Sequence, residues 1–474
     1  MTERDALGAD FVEAARGDAA ATPRDAVAAP GKAEAAPGEP GPPASLWRHA
    51  DFSKLWFGQA VSGLGSQVTV LALPLTAVLY LKASAIQVGL MTSAAEFAFF
   101  GPALFFGVMV DRMRRRPVMV SADIGRAAVL ALVPILAWTG SLSMWMLYVI
   151  AFTHSCLTVI FELAYRSYLP SLITAEHLLV GNSRLQATDS ISQVAGPGVG
   201  GVLVQLMRAP FALLIDAGSF LVSAASVLSI RAHEPAVRRD PGGDDDARRG
   251  VLREIGSGLR FIAGHPVLRS LAGAGATFNF FSQIQLTLLV LYAAREMHLS
   301  AGEIGIVYAG FGVGGVLAAT TLGRALASFG YGRLLVLGYA MGALGIIGLP
   351  FVTGSARVAT ALFVGLYLLA GSGIVALNIV SMTLRQVATP SHLQARVNAS
   401  FRVSISGLMP VSAAIAGILG DHLGLRTALF IAAGGMPVSV LWAALSPARA
   451  VTTLAQLASS GDPGDGQSGI SRGE

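Results

Sequence analysis

Apolar residues run along this chain in long blocks separated by short loops rich in arginine and glycine. About twelve blocks approach the ~20 residues that a helix needs to cross a ~30 Å hydrocarbon core. They cover roughly 55–80, 86–110, 117–138, 142–163, 185–207 and 211–230, then 271–294, 303–326, 333–352, 358–384, 401–420 and 425–445. The pattern predicts an all-α polytopic membrane protein built from two six-helix bundles, 47–230 and 267–446. Residues 1–46 are Ala/Pro/Gly-rich without an apolar block, and they read as a disordered tail, as do 447–474. Between the bundles, 231–266 opens with a mixed-charge run at 238–246. Leu252, Ile255, Leu259, Phe261 and Ile262 then recur at helical spacing. That stretch reads either as a surface helix on the membrane face or as a plain linker helix.

Composition agrees with the block pattern. Apolar residues make up 53% of the 474 and charged residues 13%, where a soluble chain carries about 25% charged residues. Mean hydropathy is +0.63. The formal charge of +5 comes from arginines in loops, so it speaks of membrane topology and not of nucleic acid. Arg48, Lys54, Arg112, Arg114, Arg115, Arg116, Arg166, Arg184, Arg324, Arg333, Arg385, Arg396 and Arg402 fall on one face. Lys82, Arg208, Arg295, Arg357 and Arg426 fall on the other. Basic loops stay in the cytoplasm, so both termini are expected there, in a multi-pass protein of the plasma membrane. Cys156, the one cysteine, sits in an apolar run, and no disulfide, metal cluster or cofactor site can be built around it.

The chain also repeats itself. Ser66-Gln67, Ser84-Ala85 and Gln87-Val88-Gly89 recur as Ser282-Gln283, Ser300-Ala301 and Glu303-Ile304-Gly305, and Gly107 projects onto Gly323 (323 − 107 = 216). Asn182 maps to Asn398 and Gly201-Val202-Leu203 to Gly417-Ile418-Leu419 by the same shift. With six spans per copy, both copies enter the membrane from one side, which makes them parallel repeats about an axis along the membrane normal.

Two motifs carry a family resemblance. The loop Gly107-Val108-Met109-Val110-Asp111-Arg112-Met113-Arg114-Arg115-Arg116 resembles the loop 2–3 signature of the major facilitator superfamily of transporters, with Arg114 where the family has a second glycine. In the fifth span, Gly196-Pro197-Gly198-Val199-Gly200-Gly201 resembles the Gly-Pro-x-x-Gly-Gly core of that superfamily's antiporters, with Ser192 and Ser183 at two further glycine positions. Proline removes a backbone donor and is expected to kink this helix, while the glycines let a neighbouring backbone approach. Trp56-Phe57-Gly58-Gln59, Ala122-Asp123-Ile124-Gly125-Arg126, Tyr165-Arg166-Ser167-Tyr168-Leu169-Pro170 and Asp216-Ala217-Gly218-Ser219-Phe220 are similar to the branch of macrolide-efflux and enterobactin-export proteins, as is Arg396-Val397-Asn398-Ala399. The resemblance implies a monomeric secondary transporter that exchanges a small molecule for protons across the lipid bilayer. Export of an amphipathic compound is the first reading. Uptake by symport on the same scaffold is the alternative, and a non-transporting receptor the third.

Charges inside a bilayer are costly and mark function. Asp123 with Arg126, and Glu162 with Arg166, lie three and four apart on their helices and can pair there. They are expected to join Gly107, Asp111, Arg112, Arg115 and Arg116 in a latch between the bundles, or else simply to neutralise each other. Glu96, ten residues into the second span with no basic residue within four positions, is the leading proton-carrier candidate. The alternative is a strut that only hydrogen-bonds another helix. His154 and Asp216 are further candidates. Gln59, Gln67, Asn279, Gln283, Gln285 and Asn378 either line the pore or join helices.

Overall fold

The computed structural model describes residues 49–100, 106–107, 109–110, 112–232, 234 and 244–454. Thirteen α-helices are delimited among them, and no strand. They are α1 (Ala50–Leu75), α2 (Ala85–Phe100), α3 (Arg115–Trp138), α4 (Met144–Leu172), α5 (Ala175–Met207), α6 (Ala209–Leu228), α7 (Asp244–Gly264), α8 (Pro266–Arg295), α9 (Ala301–Ile347), α10 (Ala356–Val387), α11 (Gln394–Ser406), α12 (Met409–Leu423) and α13 (Leu425–Ala444). Nine stretches among the described residues are long and apolar enough to cross a membrane by length and composition. One of these, Ala301–Phe351, breaks at Gly330 (φ 72°) and supplies two crossings. The shorter apolar α2 and the more polar α5 bring the total to twelve.

Helix ends repeat at the constant shift of 216. α1 and α8 both start after a histidine whose ring accepts a backbone N–H one turn on: His49 from Phe52 (3.2 Å) and His265 from Leu268 (3.4 Å). Ser84 and Gln87 exchange bonds across the first turn of α2 (2.9 and 3.3 Å), and Ser300 and Glu303 do the same for α9 (2.8 and 3.3 Å). These are capping boxes, each satisfying two orphan donors. The turn between α5 and α6 is made by Arg208 (φ 66°), and that between α12 and α13 by Gly424 (φ 82°). This left-handed backbone is easy for glycine and costly for arginine. The repeat therefore keeps the turn even where it lost the residue that favours it.

Within the first half, α6 packs on α1 and α3, α5 on α1, and α4 on α2 and α3. In the second, α8 packs on α12 and α13, and α9 on α10 and α13. The halves meet mainly through α5 against α9 and α2 against α12. Some elements differ from the block pattern. α5 starts ten residues before the expected 185, because Ala175–Arg184 continues its helix beyond the apolar block. The expected eleventh span is two helices, α11 and α12, separated at Gly407-Leu408 with Pro410 in the first turn of α12. Of the expected tail 447–474, residues 447–454 are ordered: Ala448 is fully buried and Val451 O accepts the N–H of Gly332 (2.8 Å). The tail at 1–46 and residues 455–474 lie outside the described residues, as does most of the mixed-charge run. α7 docks on protein: Ser400 Oγ donates to Ile255 O (2.9 Å), and Gly258 is pressed against Ser400 and Arg396.

Candidate functional site

The two halves meet along a seam, and glycines close one end of it. A β-carbon built at Gly201 (α5) would stand 2.7 Å from Ala301 O and 2.8 Å from Gly305 Cα (α9). One built at Gly417 (α12) would stand 2.8 Å from Ala85 O and 3.1 Å from Gly89 Cα (α2). The shift of 216 carries one contact onto the other, residue for residue. Two polar bonds join the halves at the same end: Arg295 donates to Ala83 O (2.6 Å), and Gly302 N–H to Gln205 Oε1 (3.1 Å). Seven residues, or two turns, along the seam, Gly312 still presses on Val194, with its built β-carbon 2.5 Å from Val194 Cα. Two turns further, Ala187 and Ala319 are exposed. The close packing seen at Gly201 and Gly312 ends by that level.

The antiporter-like motif packs on both sides of α5. Gly196 and Gly200 face α1, against Gln67 and Val68. Pro197 and Gly201, one position on from each, face Gly305 of α9. The helix runs on through Pro197, from Ala175 to Met207.

The core of the first half holds a buried charge cluster. The Arg126 guanidinium pairs with Asp123 and lies between two aromatic rings, 4.2 Å from the Phe161 centroid and 4.1 Å from that of Phe220. Asp216, one turn before Phe220 on α6, accepts from Thr69 Oγ1 (2.5 Å) and Ser219 Oγ (2.9 Å). The His154 ring rests 5.8 Å from Phe220, and its Nε2 has no partner among the described residues. Asp123 and Asp216 are fully buried. Sequence spacing found the members of this cluster but not their convergence, because α3, α4 and α6 meet only through tertiary packing. Glu96 stands apart from it. It lies two turns from Gly89 on the same face of α2, half-buried, with no hydrogen bond or ion pair among the described residues. The shift places it where the second half has Gly312, and Val194 where the second half has Pro410. The tight Gly312–Val194 contact is thus replaced, on the α2–α12 side, by a glutamate at the level of the α11–α12 break.

The second half contributes a neutral cavity of about 280 Å³, which includes Asn279, Gln283 and Gln285. Tyr308, Phe311 and Tyr367 wall it, and they were not anticipated: aromatic residues in an apolar block carry no periodic signal of a cavity. Gln59 donates weakly to Ser223 (3.4 Å), Gln67 is half-buried beside Gly196, and Asn378 is exposed on α10.

Comparison with known proteins now bears on this geometry. The family model described as "transmembrane secretion effector" matches residues 42–464. This chain belongs to the major facilitator superfamily. Among superfamily relatives, a multidrug efflux pump, Tap of Mycolicibacterium fortuitum, is 27% identical over 395 residues, 79% of this chain and 90% of the relative. Macrolide efflux protein A of Streptococcus pyogenes is 25% identical over 279 residues, 56% of this chain and 65% of the relative. A bacterial homologue of the iron transporter ferroportin, solved in an inward-facing state, shares the superfamily fold at a TM-score of 0.65 with 18% identity, covering 85% of this chain and 99% of that one. The protein is therefore a multi-pass membrane transporter.

The superfamily loop signature is only partly described. Asp111 lies outside the described residues, and among the described residues Gly107 has nothing within 4 Å of a built β-carbon. Arg112 is exposed. Arg115 and Arg116 bind within their own half. Their backbone N–H groups donate to Glu234 (2.5 and 3.3 Å), and the Arg116 side chain donates to Val227 O (3.2 Å) and Leu228 O (2.5 Å). Glu234 thus caps α3 from the segment after α6. It was not singled out from sequence, since a cap supplied from more than a hundred residues away leaves no local spacing. Glu162 and Arg166 pair at 3.7 Å, with Arg166 exposed and Glu162 half-buried. Among the described residues, those expected in one latch fall into a buried pair, a partly exposed pair and a capped helix start.

Proposed function

We propose that this protein is a proton-driven exporter of amphipathic small molecules in the plasma membrane, working as a monomer by alternating access with both termini in the cytoplasm. The arginine-rich loops lie at the end where the close packing has ended, and basic loops are retained in the cytoplasm, so the gap between the halves faces inward in this conformation. The observation that carries export is the two-sided packing of Gly196-Pro197-x-x-Gly200-Gly201, the motif that resembles antiporters, at the sealed end. Relatives named as efflux proteins support the same direction.

Charge balance suggests where protons act. The buried cluster holds one guanidinium for two carboxyls, and a net charge in a dry core is costly. One proton shared among Asp123, Asp216 and His154 restores neutrality, and opening of the gap changes its access. Glu96, unpaired and beside the gap, is the second candidate carrier.

The test uses proteoliposomes with an imposed pH gradient and labelled erythromycin as the probe macrolide. Proton-driven accumulation against the erythromycin gradient, opposite in direction to proton flow, is expected. Movement in the same direction as protons would make this a symporter, and flux indifferent to the gradient would end the coupling reading.

A further inference from the structure

The neutral cavity in the second half contains a polar group that the fold leaves unused. Gln283 is 2% exposed, and neither its amide nitrogen nor its amide oxygen has a hydrogen-bond partner among the described residues. The Ser282 hydroxyl beside it is likewise buried and unpaired. A buried amide with both ends unsatisfied is costly, and native structures carry such groups where they have a use. Its neighbours are organised: Gln285 Nε2 donates to Tyr367 Oη (2.7 Å), which leaves the phenol hydrogen free to donate in turn. Tyr308 and Phe311 both meet Tyr367 in edge-to-face fashion, at 5.6 and 6.3 Å between centroids. None of the residues lining the cavity carries a charge, and its volume of about 280 Å³ lies at the low end for ligand sites, enough for one ring system of a larger molecule.

We infer that this cavity is a recognition subsite for a neutral, planar group whose edge presents an acceptor beside a donor, as in a cyclic amide or carboxamide, carried on a flat apolar ring. The Gln283 amide, covered and unpartnered at the cavity's edge in this conformation, supplies the complementary donor and acceptor once its side chain turns toward the ligand, and the three aromatic rings take the ring's surface. The shift of 216 supports a dedicated role. Gln67, the counterpart of Gln283 in the first half, is packed against Gly196, so the two copies of this glutamine have diverged in setting. The inference rests on the transport reading for its purpose, but its test needs neither a gradient nor a direction.

The full chain, purified into lipid nanodiscs, is titrated calorimetrically with 2-quinolinone and with N-methyl-2-quinolinone, which has the same ring and carbonyl but no donor. Saturable binding of 2-quinolinone is expected, with the methylated compound about tenfold weaker, because a site built to hydrogen-bond penalises an analogue lacking the group. Gln283→Leu should bind both alike. It should also melt at a higher temperature than the parent without ligand, since an apolar side chain replaces an unsatisfied amide. Gln283→Met repeats the comparison if the leucine variant does not fold. Absence of saturable 2-quinolinone binding, equal affinity of the parent for both compounds, retained preference in the variant, or a lowered melting temperature would each overturn the inference. Binding as expected in a protein that fails to export would instead remove the export reading and leave the subsite standing.

Discussion

Neighbouring glycines of the α5 motif face different halves, and alanine at each should have different consequences. At Gly201 the new methyl would stand 2.7 Å from Ala301 O and 2.8 Å from Gly305 Cα, both backbone atoms of the other half. Carbon contacts are comfortable at about 3.5–4.0 Å, so the halves must part by roughly 0.7 Å or more. Overpacking of this kind costs about 1–3 kcal/mol, and the whole cost falls on the conformation in which this end is sealed. A shift of that size changes the balance of conformations by about 5- to 150-fold. At Gly200 the methyl meets Val68 Cα at 3.2 Å and Gln67 O at 3.3 Å, inside the same half. A few tenths of an ångström relieve it, and both conformations bear the cost equally. Spin labels at Ser141→Cys and Thr353→Cys, both exposed near the sealed end, in a Cys156→Ser background, report the separation by pulsed electron resonance. Gly201→Ala is expected to move the distribution toward longer distances, and Gly200→Ala to leave it unchanged. Identical distributions for Gly201→Ala and the parent would refute the seam as the seal, and an equal shift for Gly200→Ala would refute the assignment of faces.

Further outcomes are expected elsewhere in the molecule. Asp216→Asn should abolish gradient-driven erythromycin accumulation while sparing downhill exchange, and Glu96→Gln should abolish it instead if the gap acid is the carrier; vesicle flux at fixed pH separates them. Glu234→Ala removes the acceptor for the first N–H groups of α3 and should lower stability by about 0.5–2 kcal/mol, read as a lower thermal midpoint in detergent. Burial pushes the His265 imidazole below its ordinary value, so the folded form binds fewer protons than the unfolded one. Its contribution should be complete above about pH 6.5 and shrink as pH falls through that value. The difference in thermal midpoint between the parent and His265→Asn, followed from pH 8 to 5, checks this.

Much of this architecture was legible in the sequence because bilayer thickness imposes a length on every apolar block. The constant shift of 216 was visible in a few residue pairs, and the structure extends it to caps, turns and contact pairs. The polar α5 start escaped the block pattern because a helix needs hydrophobicity only where lipid touches it. The α11–α12 break was hidden because Gly407 and Pro410 resemble ordinary membrane-helix residues until the backbone is seen. For the site, residue types were readable and their grouping was not. Asp123 and Arg126 could be paired from spacing, but Asp216 and His154 join them only when three helices pack. Gln283 could be nominated as polar and buried, yet its lack of a partner depends on every neighbour.

Gly89–Gly417 and Gly201–Gly305 put bare backbone against bare backbone on either side of the gap. Surfaces made of branched side chains interlock, and separating them requires many torsions to change in concert. Between these glycines no rotamer stands in the way, so in the alternating access proposed above the faces part as smooth cylinders do once the Arg295 and Gln205 bonds release, and they meet again without searching for their fit. In the cycle proposed above, resistance at these contacts is thereby kept low, and its pace is left to events elsewhere in the molecule.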